Sequence, residues 1–186
     1  MSGDLPDNIS YPNWVGDDSQ TNTVDLNVHI FGPYRGEYQD LLLDISSFLR
    51  EEGYNGAAIC SELPNHDSKP GMGESEQNWW ESVNCLFQAD AAIFLFLDPR
   101  EDRLNGAPAE GLNSSVFAEF VYWCNFFSED RLGAMAIFEG GMENYGSLIQ
   151  GLVDISGMHQ TTVESGEIAR IKKLCLGECI EWASQI

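Results

Sequence analysis

The sequence predicts an α/β fold in which helices cover both faces of a mainly parallel, five-stranded sheet, so that the domain has three layers. Short apolar runs alternate five times with segments of helical periodicity. Residues 91–97 are apolar at every position, which is typical of a strand covered on both faces. Linkers long enough for a helix imply right-handed crossovers, and therefore parallel neighbouring strands.

In the first half of the domain, glycine and proline turns separate the predicted elements. Residues 26–31 are an apolar run closed by Gly32, and residues 37–52 carry apolar side chains at helical spacing. Residues 57–60 predict a second strand. The polar residues 61–76 follow it as a loop that is long enough to suggest a function.

The second half repeats the alternation. Its predicted elements are, in chain order, a helix at 78–88, the central strand at 91–97, a polar loop at 98–113, a helix at 114–127, a strand at 134–138, a short helix at 143–151, a weak strand at 160–163 and a helix at 167–184. Residues 24–186 are thus predicted to form one Rossmann-like or flavodoxin-like domain. Residues 1–23, polar and without periodicity, precede it as a flexible or surface-laid arm.

The charge of the chain excludes several classes of partner. The 186 residues include 9 Lys and Arg against 30 Asp and Glu, a formal net charge of −21. Nucleic-acid polymers and anionic membranes need clustered cations, so neither is an expected partner. Dispersed carboxylates suit a protein kept soluble in concentrated salt, and we expect a halophilic, archaeal source. Because no apolar run approaches the length of a membrane span and no signal segment is recognisable, we expect a cytoplasmic protein.

Ligands of parallel α/β sheets bind beyond the carboxyl ends of the strands, which points first to the turn after the first strand. There Gly32 and Gly36 allow close approach of the backbone, and Tyr34 and Arg35 lie between them. The Arg35 guanidinium and the free N–H groups of the following helix can together hold an anion such as a phosphate. A glycine turn after a strand is, however, often only a turn.

The second candidate segment is the start of the helix predicted at 114–127. Asn113 or Ser114 is a suitable N-cap, and the Ser114 and Ser115 hydroxyls face the ligand end of the sheet. Glu119 lies about one turn further along, between apolar neighbours. A partly desolvated carboxylate interacts strongly with a cationic centre, so Glu119 is the predicted catalytic residue, although a solvated glutamate is the alternative.

Three short patches resemble the nucleoside 2-deoxyribosyltransferase family, and most closely its 2′-deoxynucleoside 5′-monophosphate N-glycosidase branch. They are the turn from Gly32 to Arg35, the Ala-Asp that opens the central strand at Asp90, and Ser-Val-x-x-Glu ending at Glu119. The resemblance implies that Glu119 attacks the anomeric carbon or stabilises its cationic character. It also implies a 5′-phosphate held by Arg35, Ser114 and Ser115, a substrate contact at Asp90, and a possible homodimer with a shared site.

The chain departs from the family at two positions. Ser115 stands where the family has glycine, and Ser82 stands where it has a helical aspartate. Because that aspartate is absent, Asp98, at the end of the central strand, is assigned as the proton donor.

Two alternatives remain open: cleavage of NAD by a Toll/interleukin-receptor-like domain, and a nucleotide-binding domain without catalysis. No metal is expected, because His29, His66 and His159 lie far apart and lack ligand spacing. No cofactor is expected either. The five cysteines form no CxxC pair, and we expect buried free thiols.

Overall fold

The computed structural model of the chain describes residues 23–34, 36–63, 73–100, 111–127 and 131–186. Within these ranges, four strands form one parallel sheet in the order β1-β2-β3-β4: β1 Val28–Phe31, β2 Ala91–Phe96, β3 Gly133–Glu139 and β4 His159–Val163. The helices in the same ranges are α1 Glu37–Glu51, α2 Glu74–Gln88, α3 Ser114–Phe126, α4 Ser147–Ser156 and α5 Ile168–Ala183. Residues 1–22, which make up nearly all of the predicted arm, lie outside the described residues.

Strand β2 is the centre of the sheet, as its uniformly apolar sequence predicts. All of its residues are buried, and it pairs in parallel with β1 on one side and with β3 on the other. Its alternate side chains serve two different cores: Ile93 packs with one cluster and Phe94 with the other. A strand buried on both faces has no position left for a polar side chain.

Helices flank the sheet on both faces. On one face, α1 and α5 contribute aliphatic side chains such as Leu42 and Ile171. On the other face, α2, α3 and α4 cover an aromatic core in which Phe94 stacks on Phe31 at 5.2 Å and meets Phe120 edge-on at 5.3 Å. Burying each of these large side chains stabilises the fold by about 1.5–3 kcal/mol. None of the helices in the described ranges combines the length and the apolar character needed to cross a bilayer.

The predicted count of five strands is wrong for the described residues, because residues 57–60 do not form a strand. Only Ala58 pairs with β1, through a single parallel bridge to His29, and the chain then turns into a 3-10 helix, Cys60–Glu62. Side chains form hydrogen bonds with the neighbouring backbone groups. Arg50 donates to the Ala57 carbonyl at 2.8 Å, and Glu62 accepts from Ile59 N–H at 3.1 Å. These bonds end the ladder after one residue.

Two helices differ from their predicted bounds. Helix α2 begins at Glu74 rather than at residue 78. Glu74 and Glu76 lie in its first turn, where carboxylates interact favourably with the positive end of the helix dipole. The helix predicted at 143–151 is instead a 3-10 turn, Met142–Asn144, followed by α4. Gly157 ends α4 in the left-handed region at φ 66°.

Candidate functional site

A cleft of about 500 Å³ opens at the carboxyl ends of β1 and β2. Its walls come from the turn after β1, the 3-10 helix Cys60–Glu62, helix α2 and the start of α3. This is the edge where ligands of parallel sheets are expected, since the loops that leave neighbouring strands meet there. A cleft of this volume can accommodate a molecule of nucleotide size.

Glu119 forms part of the cleft wall, and its side chain is only 1% exposed. The Ser82 hydroxyl donates to Glu119 Oε1 at 2.6 Å, whereas Oε2 has no hydrogen-bond partner among the described residues. Burial raises the pKa of Glu119 well above its ordinary value, and the nearby Cys60 thiol raises it further, while the Ser82 hydrogen bond opposes both effects. Glu119 is therefore a desolvated carboxyl group with one oxygen oriented by Ser82 and one buried oxygen that has no partner among the described residues.

The start of helix α3 is tied to the end of β2 by the Asn113 side-chain amide. This amide donates to the Leu97 carbonyl at 2.8 Å and accepts from Leu97 N–H at 2.9 Å. The Ser114 hydroxyl donates to the Gly111 carbonyl at 2.8 Å, and both Ser114 and Ser115 are exposed at the cleft. The amide of Asn113 thus sets the position of the helix, and Asn113 itself does not line the cleft.

A second polar group consists of Tyr34 and Cys60, which line the cleft, and of Cys85 and His29, which do not. The Tyr34 hydroxyl lies 3.1 Å from the Ile30 carbonyl oxygen and 3.4 Å from Cys60 Sγ. Cys85 Sγ lies 3.4 Å from His29 Nδ1. His29 Nδ1 lies 2.7 Å from the Cys85 carbonyl oxygen, so that nitrogen carries the proton it donates.

The members of this second polar group differ in acidity. The hydrogen bond from Cys85 lowers the pKa of the Cys60 thiol, with help from Tyr34 and Ser82 and against the effect of burial. Burial raises the pKa of Cys85 and of Tyr34 well above their ordinary values. Burial also lowers the pKa of His29, which favours the neutral imidazole. Cys60 is thus the more acidic of the two thiols.

Four of the residues predicted from the sequence meet in this cleft: Tyr34, Ser114, Ser115 and Glu119. Gly32 does not line it; a Cβ atom there would lie 2.8 Å from Leu42 Cδ2, so this glycine serves the packing of α1. Gly36 directly precedes α1 and adopts φ 54°, a conformation that favours glycine. Arg35 lies outside the described residues.

The structure does not bring Asp98 into the cleft. The Asp98 carboxylate is buried and ion-paired with Arg100, whose Nη2 lies 2.6 Å from Asp98 Oδ2. The backbone N–H of Asp98 donates to Glu139 Oε2 at 3.0 Å. Asp98 follows the end of β2, as predicted, but its carboxylate lies beside Gly140. Arg100 also donates a hydrogen bond to the carbonyl oxygen of Gly140.

Asp90 is also far from the cleft, because it precedes β2 and therefore lies at the amino end of the sheet. Its Oδ2 accepts hydrogen bonds from the backbone N–H and the side-chain amide of Asn27, both at 3.0 Å. These bonds join the two chain segments that enter β1 and β2. Asp90 therefore links the residues that precede β1 and β2 and has a structural role.

Ser82, Cys60 and Glu81 are site residues that sequence reasoning did not select. All three line the cleft, and Ser82 alone contacts the carboxylate of Glu119. A signal for them exists in helix α2, where Asn78, Ser82 and Cys85 follow the spacing i, i+4, i+7 and form a polar stripe on one face. In the sequence this stripe is hard to separate from an ordinary solvated helix face.

Within the described residues, no group of three or more His, Cys, Asp or Glu side chains is placed to hold a metal ion. Comparison of the chain with protein-family models, with curated proteins and with solved structures finds no match in any of the three. The functional assignment therefore depends on the geometry of the cleft.

Proposed function

We propose that this protein cleaves the N-glycosidic bond of a nucleotide, by hydrolysis or by transfer of the deoxyribosyl group, with Glu119 as the nucleophile. The observation that carries the proposal is the state of the Glu119 carboxyl group: it is buried in the wall of a nucleotide-sized cleft, with Oε1 held by Ser82 and Oε2 lacking a partner among the described residues. The resemblance to the nucleoside 2-deoxyribosyltransferase family supports the same chemistry.

In the proposed reaction, Glu119 Oε2 attacks the anomeric carbon as the bond to the base nitrogen breaks. The sugar becomes an ester of Glu119, and water or a second base then releases it. Burial disfavours the ionised form of Glu119 before a substrate binds. The positive charge that develops on the sugar ring in the transition state favours this ionised form. Electrostatic stabilisation by Glu119 is therefore greatest during the chemical step.

The departing base needs a proton, and the sequence predicts Asp98 as its donor. Since Asp98 is paired with Arg100 outside the cleft, we assign this role instead to Glu81, a second carboxyl group of the cleft wall. Glu81 lies on α2 next to Ser82, and its Oε1 accepts a hydrogen bond from Gln77 at 2.9 Å. Two carboxyl groups that divide the nucleophile and acid roles are the common arrangement in glycosidic cleavage.

A 5′-phosphate is proposed to bind at the start of helix α3. Ser114 and Ser115 are exposed there, and the first N–H groups of a 13-residue helix favour an anion. Arg35 directly follows Tyr34 in the sequence, and its guanidinium is proposed to form an ion pair with the phosphate. A phosphate at this position would place the sugar further inside the cleft, towards Glu119.

We also infer that the domain is of the three-layer, flavodoxin-like type. The bridge at Ala58 lies on the outer side of β1, where a fifth strand of that fold would pair. The resemblance further implies a homodimer with a shared site, an expectation that sedimentation analysis of the purified protein tests.

The proposed function is tested by incubating the protein with 2′-deoxynucleoside 5′-monophosphates, ribonucleoside monophosphates and NAD, and separating the products by chromatography. Free base from a monophosphate is the expected result. Free nicotinamide from NAD would favour the Toll/interleukin-receptor-like alternative. A nucleotide-induced thermal shift without any base release would contradict catalysis and favour a binding domain.

A further inference from the structure

The described lining of the cleft contains two carboxyl groups and no Lys or Arg side chain. The carboxyl groups belong to Glu81 in helix α2 and to Glu119 in helix α3. The other polar side chains of this lining are hydroxyls, amides and one thiol. Because the walls of a cleft concentrate the field of the charges that line it, this lining favours a ligand that carries a positive charge.

The two carboxyl groups lie on walls that are joined by one hydrogen bond. Glu81 and Ser82 are consecutive residues of α2, and both line the cleft. The Ser82 hydroxyl donates to Glu119 Oε1 at 2.6 Å, which connects α2 with α3 at this point. The Gln77 side-chain amide donates to Glu81 Oε1 at 2.9 Å and holds this carboxyl group on its own helix. A ligand that fills the cleft therefore contacts both carboxyl groups.

The start of α3 has the opposite electrostatic character. The first N–H groups of this helix carry a partial positive charge, and the Ser114 and Ser115 hydroxyls line the cleft beside them. The cleft therefore favours an anion at the start of α3 and a cation beside Glu81. A nucleotide with a phosphate at one end and a positively charged base at the other end matches both preferences.

The supply of a proton to the leaving base also favours a positively charged base. A neutral purine or pyrimidine takes up a proton as the N-glycosidic bond breaks, whereas a cationic base leaves as a neutral molecule without one. Asp98 is paired with Arg100 and does not line the cleft, and the Ser82 hydroxyl proton is engaged with Glu119. Glu81 would have to protonate a neutral base, but it can stabilise a cationic base through its charge alone.

A positively charged base also favours the attacking form of Glu119. Burial raises the pKa of Glu119 and so disfavours the carboxylate that the attack requires. A phosphate that enters the cleft adds a negative charge, which disfavours this carboxylate further. A cationic base in the same cleft opposes both effects, because opposite charges attract strongly where water is excluded.

We propose that the substrate is a nucleotide whose base carries a positive charge, either a pyridinium or an N7-alkylated purine, and that Glu81 binds this base. The chemical step rests on the proposed function. The bond from the anomeric carbon to the base nitrogen breaks, and its electron pair cancels the positive charge of the base. Glu119 Oε2 forms an ester with the anomeric carbon, and water then releases the sugar phosphate and regenerates the carboxylate. One cationic nucleotide and one water thus give a neutral base, a sugar phosphate and one proton.

The first test measures binding by calorimetry in Glu119→Gln, which lacks the proposed nucleophile. Two matched pairs are compared: nicotinamide mononucleotide with its reduced, uncharged form at neutral pH, and N7-methylated 2′-deoxyguanosine monophosphate with its unmethylated parent in mildly acidic buffer. The cationic member should bind roughly fivefold more tightly than the neutral one. A preference in only one pair identifies the base as a pyridinium or as an alkylated purine.

A second substitution in the same background, Glu81→Gln, tests whether Glu81 is the source of this preference. It removes the charge and keeps the size of the side chain, so it should weaken binding of the cationic members roughly fivefold and leave the neutral members unchanged. Glu76→Gln is the matched control, because Glu76 is an exposed residue of the same helix that does not line the cleft. This control should retain the preference.

Two results would overturn the proposal: neutral members that bind as tightly as the cationic ones in both pairs, or an equal loss of binding of charged and neutral members in Glu81→Gln. Thermal shifts of the wild type with the same four nucleotides give the comparison if a variant fails to fold. Base release by the wild type separates the two proposals. Release from the neutral members alone would contradict a cationic substrate and leave the proposed function intact. A binding preference without any release would contradict the proposed function and leave the charge preference of the cleft standing.

Discussion

At the scale of single residues, Glu119 is the buried carboxyl group of the candidate site. A carboxyl group that is 1% exposed and has one unpartnered oxygen is unfavourable as an anion, and its pKa is raised for that reason. Groups of this kind reduce the stability of a fold and are retained where chemistry uses them. The dependence of stability on pH therefore reports directly on the environment of Glu119.

Glu119→Gln should reduce the loss of stability that accompanies rising pH. Because the folded-state pKa lies above the unfolded value, the stabilisation by neutral Glu119 is complete below the unfolded pKa and is lost as pH rises through the folded one. Between about pH 5 and about pH 8, the wild type should lose more free energy of unfolding than the variant does. Denaturant unfolding at both pH values measures the difference. Equal losses in the two proteins would contradict a strongly raised pKa.

Ser82→Ala should raise the pKa of Glu119 further, because the Ser82 hydrogen bond is the contact that lowers it. If ionised Glu119 is the nucleophile, the acid limb of the kcat/KM profile should shift to higher pH in this variant, and Ser82→Thr should restore it. A lower kcat without a shift of the acid limb of the pH profile would show that Ser82 contributes only to packing. The readout is the pH profile of base release.

At the scale of elements, the junction between β2 and α3 positions the site. The Asn113 amide closes two hydrogen bonds with the backbone of Leu97, so the first turn of the helix is placed relative to the strand end. Glu119 lies in the same helix and takes its position from this junction. The geometry of the candidate site therefore depends on a residue that does not line the cleft.

Asn113→Ala should destabilise the protein by roughly 1–3 kcal/mol, because it leaves the backbone N–H and carbonyl of Leu97 without these partners. Ser115→Ala is the control, since the exposed Ser115 has no hydrogen bond among the described residues, and its effect should stay within roughly 0.5 kcal/mol. Denaturant unfolding compares the two variants. Equal stabilities would contradict the role of Asn113 as the link between β2 and α3.

Elements with strong periodicity were predictable from the sequence. The apolar run of β2 and the helical spacing of α1 and α5 predict those elements to within a residue or two, since burial imposes these patterns. The strand predicted at 57–60 is wrong, because the Arg50 and Glu62 side chains bind backbone groups beside the single bridge. Both side chains lie close in sequence to the groups that they bind, but an Arg and a Glu at these positions do not by themselves reveal the two contacts.

The candidate site was predictable only in part. Glu119 stands out in the sequence as an acid between apolar neighbours, and the structure places it in the cleft with Ser114 and Ser115. Cys60 and Ser82 were not predictable, because their role depends on contacts between segments that are distant in the sequence. Asp90 illustrates the opposite case: a position that matches a motif but lies at the amino end of the sheet.

At the scale of the whole molecule, the net charge of −21 is the dominant property. Repulsion among carboxylates disfavours the compact state, and salt screens it, since the Debye length falls from about 10 Å at 0.1 M to about 3 Å at 1 M. Few cations are available for compensation, as the chain has 9 Lys and Arg. Its stability should therefore depend on salt more than that of a neutral protein.

The melting temperature at neutral pH should rise as potassium chloride is increased from about 0.1 M to about 1 M. Near pH 4 the increase should be smaller, because protonation of the carboxylates removes part of the repulsion that salt screens. Thermal unfolding followed by circular dichroism measures both. A melting temperature that is independent of salt at neutral pH would contradict the expectation of a halophilic protein.

The most direct test of the proposed function is base release by Glu119→Gln, compared with the wild type and with Glu178→Gln. Glu178 is also a buried glutamate but pairs with His159 and does not line the cleft, so its substitution controls for the loss of a buried carboxyl group. We expect Glu119→Gln to lower kcat roughly a thousandfold or more while still binding the nucleotide, and Glu178→Gln to retain turnover. Undiminished base release by Glu119→Gln would contradict its assignment as the nucleophile.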